Sequence, residues 1–386
     1  MLKKNLKIKV SNFKICLTES DIDFILDKER GVLKSSRWTS GPVAKQFEDV
    51  FKKYAGTAHA IAVSNAGTGI AALLQALKIP EDSIVICPTL TAPPTPHSIL
   101  LAGMRVVFAD SNSDDLGLNP QDVEEKLERY RGKVKAVITV HLGGWISPRI
   151  HELSRLCKKY GVYLIEDCAH AHGSFLNSKN AGSTGKAAVY SFFMTKSLNC
   201  GEGGLVTSED SRIIERIRVI RNYGKNDSGI HVVNGFNYKF SEINAAVALW
   251  AAVNAKRIIG ERRRLAAKYD LLLKGIRGIS IVNVQGCLCG YYKYIIKLDN
   301  GISRDAFKRE LLLRYAVEPA GGVYDLLCHQ EPYFKSIPNR ILNVSGKFPA
   351  AEDFSDRQVC LPLYPGLKAH EQEYIADSIR KLMGKV

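Results

Sequence analysis

The stretch Ser191-Phe-Phe-Met-Thr-Lys196-Ser-Leu-Asn-Cys-Gly201-Glu-Gly-Gly204 sets one lysine just beyond an apolar run, Ala187 to Phe193, and just before a glycine-rich turn. Twenty-nine residues upstream of Lys196, a second apolar run, Val162-Tyr-Leu-Ile165, ends in Glu166-Asp167. Short continuous apolar runs of this kind read as strands buried on both faces. A lysine and a carboxylate at the ends of two such strands meet the two needs of pyridoxal phosphate. The amine forms a Schiff base with the aldehyde, and the anion keeps the ring nitrogen protonated. Taken singly, Lys196 is compatible with a solvated surface and Asp167 with a helix cap. The pair and its surroundings carry the reading.

The same texture recurs along the chain. Strands are expected at Ala60–Ser64, Ser83–Cys87, Arg105–Ala109, Val134–His141, Val162–Ile165, Ala187–Phe193 and Leu205–Thr207. Amphipathic stretches lie between them, so the fold class is α/β with a mostly parallel sheet of seven strands flanked by helices. Ser147-Pro148 starts a helix that Gly161 ends, and Asn119-Pro120 starts another that ends near Gly132. Gly69 to Leu77 reads as a helix opened by glycines. From Ser241 a long helix, first alanine-rich and then basic, is expected to run toward Leu273. Beyond it the texture is α+β. Two domains are expected, residues 1–255 with the large cofactor-binding unit and residues 256–386 as a smaller C-terminal unit.

The bulk properties exclude several classes. At 386 residues, with 46% hydrophobic and 24% charged residues, the chain is globular rather than disordered. No apolar run approaches the roughly 18–20 residues of a membrane span, and a cytoplasmic location is expected. The nine cysteines are scattered, Cys287 and Cys289 being the only close pair, so neither a zinc knuckle nor a disulfide framework is read from them. A net charge of +15 fits an anionic small substrate as well as a soluble basic surface. No zinc-finger or RNA-recognition signature is present, and no nucleic-acid, membrane or metal partner is expected. The triplet Arg262-Arg263-Arg264 reads as a solvated helix face.

The chemistry gathers around Lys196. Ser64-Asn-Ala-Gly67-Thr68-Gly69 follows a strand and opens a helix, where backbone N–H groups and the helix dipole bind phosphate. Ser191 is placed to add a hydroxyl to the same phosphate. Asp167 is assigned to the pyridinium nitrogen, and His170 to the ring or its phenolic oxygen. Lys196, a poor base at its ordinary pKa of about 10.4, becomes the proton shuttle once the amino donor displaces it.

With these residues in place, the chain resembles the sugar aminotransferases of the DegT/StrS type, a branch of the fold type I pyridoxal phosphate enzymes. The likeness runs from Trp38-Thr-Ser-Gly-Pro42 through Cys87-Pro-Thr-Leu-Thr91, Val140-His-Leu-Gly-Gly144 and Ile165-Glu-Asp-Cys-Ala-His-Ala-His172-Gly173. It continues through the lysine segment, Gly235-Phe-Asn-Tyr-Lys-Phe-Ser241, Gly322-Val-Tyr324 and Leu361-Pro-Leu363. The resemblance implies a homodimer with shared active sites, in which Asn237 reaches the cofactor phosphate of the neighbouring subunit. Lys239 stands where the family usually has arginine and is placed near the same anionic site. It further implies ping-pong transfer from L-glutamate, through pyridoxamine phosphate, to a keto sugar, most often nucleotide-linked, in amino-sugar biosynthesis. Trp38, His141 and Tyr324 are expected to line the acceptor pocket. Related sugar dehydratases carry histidine in place of Lys196, so the lysine favours transamination. Cyclitol and aminoshikimate-type acceptors, and a non-catalytic regulatory homologue, are the alternatives. The chain departs from the family at Ala92, where an aromatic usually stacks on the cofactor ring; another side chain covers that face or the pocket is wider. The phosphate turn carries one extra residue, leaving open which of Gly67, Thr68 and Gly69 supplies N–H groups.

Overall fold

In the computed structural model, residues 9–384 are described. The seven expected runs all form strands of one sheet: β1 (His59–Val63), β2 (Ile84–Pro88), β3 (Arg105–Ala109), β4 (Val134–Val140), β5 (Tyr163–Asp167), β6 (Ala187–Ser191) and β7 (Gly204–Ser208). The order across the sheet is β1-β7-β6-β5-β4-β2-β3. Strands β3, β2, β4, β5 and β6 pair in parallel, and β7 is antiparallel to both β6 and β1. Helices cover both faces. Ile61, Val85, Ile138, Ile165 and Val189 point into one apolar core, while Ala62, Ile86, Val137, Leu164 and Ala188 point into the other. This burial on both faces is why the strands read as continuous apolar runs.

Local signals place the helices. Asn119 caps Pro120–Arg129 through its side chain, and Gly161, in left-handed geometry, ends Ile150–Tyr160. The phosphate-turn helix is longer than expected, Ala66–Ala76, with Asn65 as its cap. The single long helix expected after Ser241 is two, Glu242–Val253 and Ala255–Leu273. Asn254 breaks it: its side chain and its backbone N–H both bond to the Trp250 carbonyl, an alternative to continued helix.

A second sheet, β8 (Ile279–Ile281), β9 (Tyr294–Leu298) and β10 (Gln358–Leu361), is antiparallel throughout. With the helices Ala255–Leu273, Arg304–Tyr315 and Ala369–Met383 it encloses a third core around Tyr269, Tyr294, Leu311 and Ile379. Contacts cross the expected division at residue 255. Val10 joins this third core and bridges Val317, while Ile341 bridges Val106 at the far edge of the large sheet.

The arginine triplet differs from its expected reading. Arg262 is buried, its guanidinium donating to the carbonyls of Tyr291 and Tyr292, each at 2.8 Å. Arg263 donates to the carbonyls of Cys289 and Gly173. Only Arg264 faces solvent as expected. The buried Arg262 guanidinium is retained because it finds two backbone acceptors on the turn before β9. All nine cysteines are free, as expected. Among the described residues, no helix is long and apolar enough to cross a membrane.

Candidate active site

The C-terminal ends of parallel strands converge where open α/β sheets bind ligands. Asp167 closes β5, and the next strand, β6, ends at Ser191 and runs into the loop that carries Lys196. Asp167 is buried; it accepts the Ala169 N–H at 3.0 Å and the Thr95 hydroxyl at 3.1 Å. Burial raises its proton affinity, against the opposing pull of the Ala169 N–H, Lys196 and Thr95. Lys196 shows the reverse. Burial lowers its proton affinity, Tyr292 and Asp167 counteract this, and Lys293 adds to the depression. The lysine Nζ lies 4.5 Å from the centre of the Tyr292 ring. The result is a lysine biased toward the free amine facing a buried carboxylate that lacks a full counter-charge.

His170 lies on the same side. Its ring stacks on Tyr292, with centroids 4.1 Å apart, and its Nε2 is 3.3 Å from the Tyr324 hydroxyl. Burial pushes its pKa well below the ordinary value, helped by Lys196 and Lys293, so the imidazole is neutral. Tyr324 also interacts through its hydroxyl with the backbone N–H of Ala92 and feels the charge of Asp167. A tyrosine from the C-terminal half thus reaches the backbone at the position where the chain carries only a methyl group.

The turn after β1 resolves the register of the phosphate cradle. Asn65 accepts the Thr68 N–H at 2.9 Å, and its carbonyl accepts the Gly69 N–H at 3.0 Å. Those two amides are engaged within the turn, which leaves Gly67 as the one of the three with an open N–H. A Cβ on Gly69 would meet Val63, Val189 and Val206 at 3.1–3.2 Å, so this glycine serves helix-to-sheet packing. Ala66 and Gly67 are left as the open amides of the first turn, among the described residues. Gly204, paired with both Val63 and Ser191, brings Ser191 beside them. A Cβ on Gly204 would lie 2.4 Å from the Asn65 carbonyl carbon and 2.7 Å from the Ala66 nitrogen.

Four expected residues are not at this centre. His141 is buried on the opposite face, where its Nε2 bonds Glu166 at 2.8 Å. Strand alternation sends Glu166 to the face away from Asp167, and His141 follows it. That corrects its assignment as a pocket-lining residue. Glu166 also accepts the N–H groups of Gly182, Thr184 and Gly185. Burial would raise its pKa, but His141 and these amides hold it below the ordinary value, and its role is to brace the loop after β5. Trp38 and Asn237 are exposed, and the Trp38 carbonyl accepts the Glu242 N–H, in the segment that follows Asn237. Lys239 sits nearby with its Nζ 4.2 Å from the centre of the Tyr223 ring.

Tyr292, Lys293 and Thr95 belong to the centre and were missed. Thr95 carried a weak signal, the Thr91-x-x-x-Thr95 spacing at a Pro-Pro helix start, which puts both hydroxyls 2.9 Å apart. Tyr292 and Lys293 carried none beyond an aromatic run. The donor set suits pyridoxal phosphate: a lysine of lowered proton affinity, a buried carboxylate for a ring N–H, and two open amides beside a serine. The Ser197 hydroxyl, buried without a partner next to Lys196, fits a site built around a further polar group.

A sequence model described as the DegT/DnrJ/EryC1/StrS aminotransferase family matches residues 20–380. The chain is 32% identical over 352 residues to a protein of Geobacillus stearothermophilus named a pleiotropic regulatory protein, covering 90% of this chain and 91% of that one. Among solved structures it is similar to S. venezuelae DesV in complex with a ketimine intermediate, at 27% identity and a TM-score of 0.87, over 95% of this chain and 96% of that one. It is similar also to DesI in the presence of its TDP-sugar product, at 28% identity and a TM-score of 0.87, over 98% and 93% of the two chains.

Proposed function

Because this chain belongs to the DegT/DnrJ/EryC1/StrS aminotransferase family, whose members use pyridoxal phosphate, we propose that it moves an amino group from L-glutamate to a nucleotide-linked keto sugar in amino-sugar biosynthesis, by a ping-pong mechanism. The observation that carries this reading is the pairing of Lys196, biased toward the free amine, with the buried carboxylate of Asp167 at adjacent strand ends. DesV and DesI, similar over nearly the whole chain, supply the sugar class.

Bound pyridoxal phosphate supplies an electron-withdrawing ring that stabilises negative charge at the donor Cα and carries the amine between half-reactions. In this reading Asp167 holds the proton on the ring nitrogen. Lys196 would hold the cofactor through its Nζ and, as a free amine, would serve as the base that takes the donor's Cα proton. The Ala66 and Gly67 amides, at a helix N-terminus, and the Ser191 hydroxyl bind the phosphate. Neutral His170 hydrogen-bonds the ring's phenolic side, and Tyr324 covers the ring face that Ala92 leaves bare.

The proposal includes a cytoplasmic homodimer in which Asn237, Lys239 and Trp38 serve the partner's site. Supporting it, the segment beside Asn237 exposes five large apolar side chains within fourteen residues, Tyr223, Ile230, Val232, Val233 and Phe236. The name of the Geobacillus protein favours a second reading, a regulatory homologue; the intact Lys196 and Asp167 weigh against lost catalysis. The test is incubation with 15N-labelled L-glutamate and TDP-linked 4-keto sugars, read by mass spectrometry. Label in an amino sugar is expected, and its absence from every acceptor tried refutes the proposed acceptor class.

A further inference from the structure

Lys293 is a second lysine in the site. Its Nζ lies 5.2 Å from the centre of the Tyr292 ring, and the Lys196 Nζ lies 4.5 Å from the same centre, so the two nitrogens are within about 10 Å of each other. The strand places it there: the Lys293 N–H donates to the Gly143 carbonyl, and β9 begins at the next residue. Farther along that strand, Lys297 pairs with Asp353 at 2.7 Å. Lys293 has no carboxylate partner among the described residues, and the recess it lines contains no acidic residue. Its other walls mix polar residues, Asn12, Thr195 and Tyr292, with apolar ones such as Phe13, Leu361 and Leu363. Arg262 also borders the recess, but its guanidinium is spent on the Tyr291 and Tyr292 carbonyls.

An ammonium beside a nucleophilic lysine, in a recess of mixed walls that holds no carboxylate, calls for an anion from the substrate. We propose that Lys293 binds a carboxylate of the amino donor. The inference rests on the aminotransferase reading. The donor Cα must come within proton-transfer reach of Lys196, and every amino acid donor carries a carboxylate on that carbon. One unpaired ammonium, with the Arg262 guanidinium already engaged, suits a single carboxylate better than the several charges of a nucleotide diphosphate. Lys293 also contributes electrostatically to the low proton affinity of Lys196. Docking of the donor carboxylate then neutralises that influence as the lysine must accept a proton, which couples donor binding to base strength.

Lys293→Gln and Lys293→Arg, each checked for wild-type thermal unfolding, test the assignment. Loss of a charge-assisted hydrogen bond predicts a roughly 10- to 100-fold rise in the KM for L-glutamate in Lys293→Gln, an unchanged KM for the keto sugar, and partial recovery in Lys293→Arg. Glutarate, which has the carboxylates but no amine, provides a readout independent of turnover. Its dissociation constant by calorimetry, on cofactor-free and loaded protein, rises by a similar factor. An active wild type whose glutamate KM and glutarate affinity are indifferent to Lys293→Gln overturns the assignment, as does a loss confined to the keto sugar. A wild type that takes no amine from any donor sinks the aminotransferase reading instead, and glutarate binding still decides whether Lys293 is a carboxylate site.

Discussion

Asp167→Asn separates the catalytic role of this carboxylate from a structural one, because the change removes a charge and preserves the shape. The side chain is buried and accepts two hydrogen bonds, from Ala169 and Thr95. Asparagine retains one carbonyl oxygen for the Ala169 N–H, and the Thr95 hydroxyl is free to turn and accept from the new amide. Burial raises the proton affinity of the native carboxyl group. A group so shifted contributes its stability below the ordinary carboxylate pKa of about 3.9 and loses it as pH rises through the raised value. At neutral pH the ionised Asp167 therefore weighs against the fold. Cofactor-free Asp167→Asn is expected to equal or exceed the wild type in urea unfolding at pH 7, with the difference shrinking toward pH 4. Cofactor binding moves the other way. Removing one partner of a buried ion pair costs about 3–5 kcal/mol, so affinity for pyridoxal phosphate falls by roughly 100- to 1,000-fold or more, read by fluorescence titration. A variant that loses several kcal/mol without cofactor would make Asp167 a structural cap of the turn at Ala169. An unchanged cofactor affinity would refute its place at the ring nitrogen.

Three further outcomes are expected. Gly204→Ala drives a methyl group into the Asn65–Ala66 backbone at 2.4–2.7 Å; it should cost about 1–3 kcal/mol of stability and weaken pyridoxal phosphate binding more than binding of pyridoxal, because the phosphate cradle moves. Arg262→Met leaves the Tyr291 and Tyr292 carbonyls unpaired and should lower stability by about 2–4 kcal/mol in chemical unfolding, far above the near-zero effect a solvated arginine would show. Co-expression of Lys196→Ala with Asn237→Ala should restore transferase activity that neither variant has alone, since hybrid dimers contain one site with both wild-type residues; no recovery would place Asn237 outside the partner's site.

The large sheet was legible because its strands are buried on both faces, and an apolar run such as Val134–Val140 has no other use at that length. Asp167 and Lys196 were legible for the same reason: polar residues that end such runs emerge at the strand tips. His141 was misplaced because its motif was read without the strand's alternation, which sends it toward Glu166. Arg262 was misread because the acceptors that satisfy it, the carbonyls of Tyr291 and Tyr292, lie 29 and 30 residues away and belong to a turn with no sequence mark. Tyr292 and Lys293 reach the site through the packing of the second sheet, a tertiary event that local pattern does not encode. The phosphate turn was seen but not its register, which depends on Asn65 capping Thr68 rather than on the count of glycines.

The central claim is that Lys196 carries the cofactor and exchanges it with an amino donor. The visible absorbance of purified protein with pyridoxal phosphate, before and after L-glutamate, tests this most directly. The account predicts a long-wavelength band that glutamate discharges and that Lys196→Ala lacks. A band indifferent to glutamate and retained in Lys196→Ala, or no band at all, would contradict it.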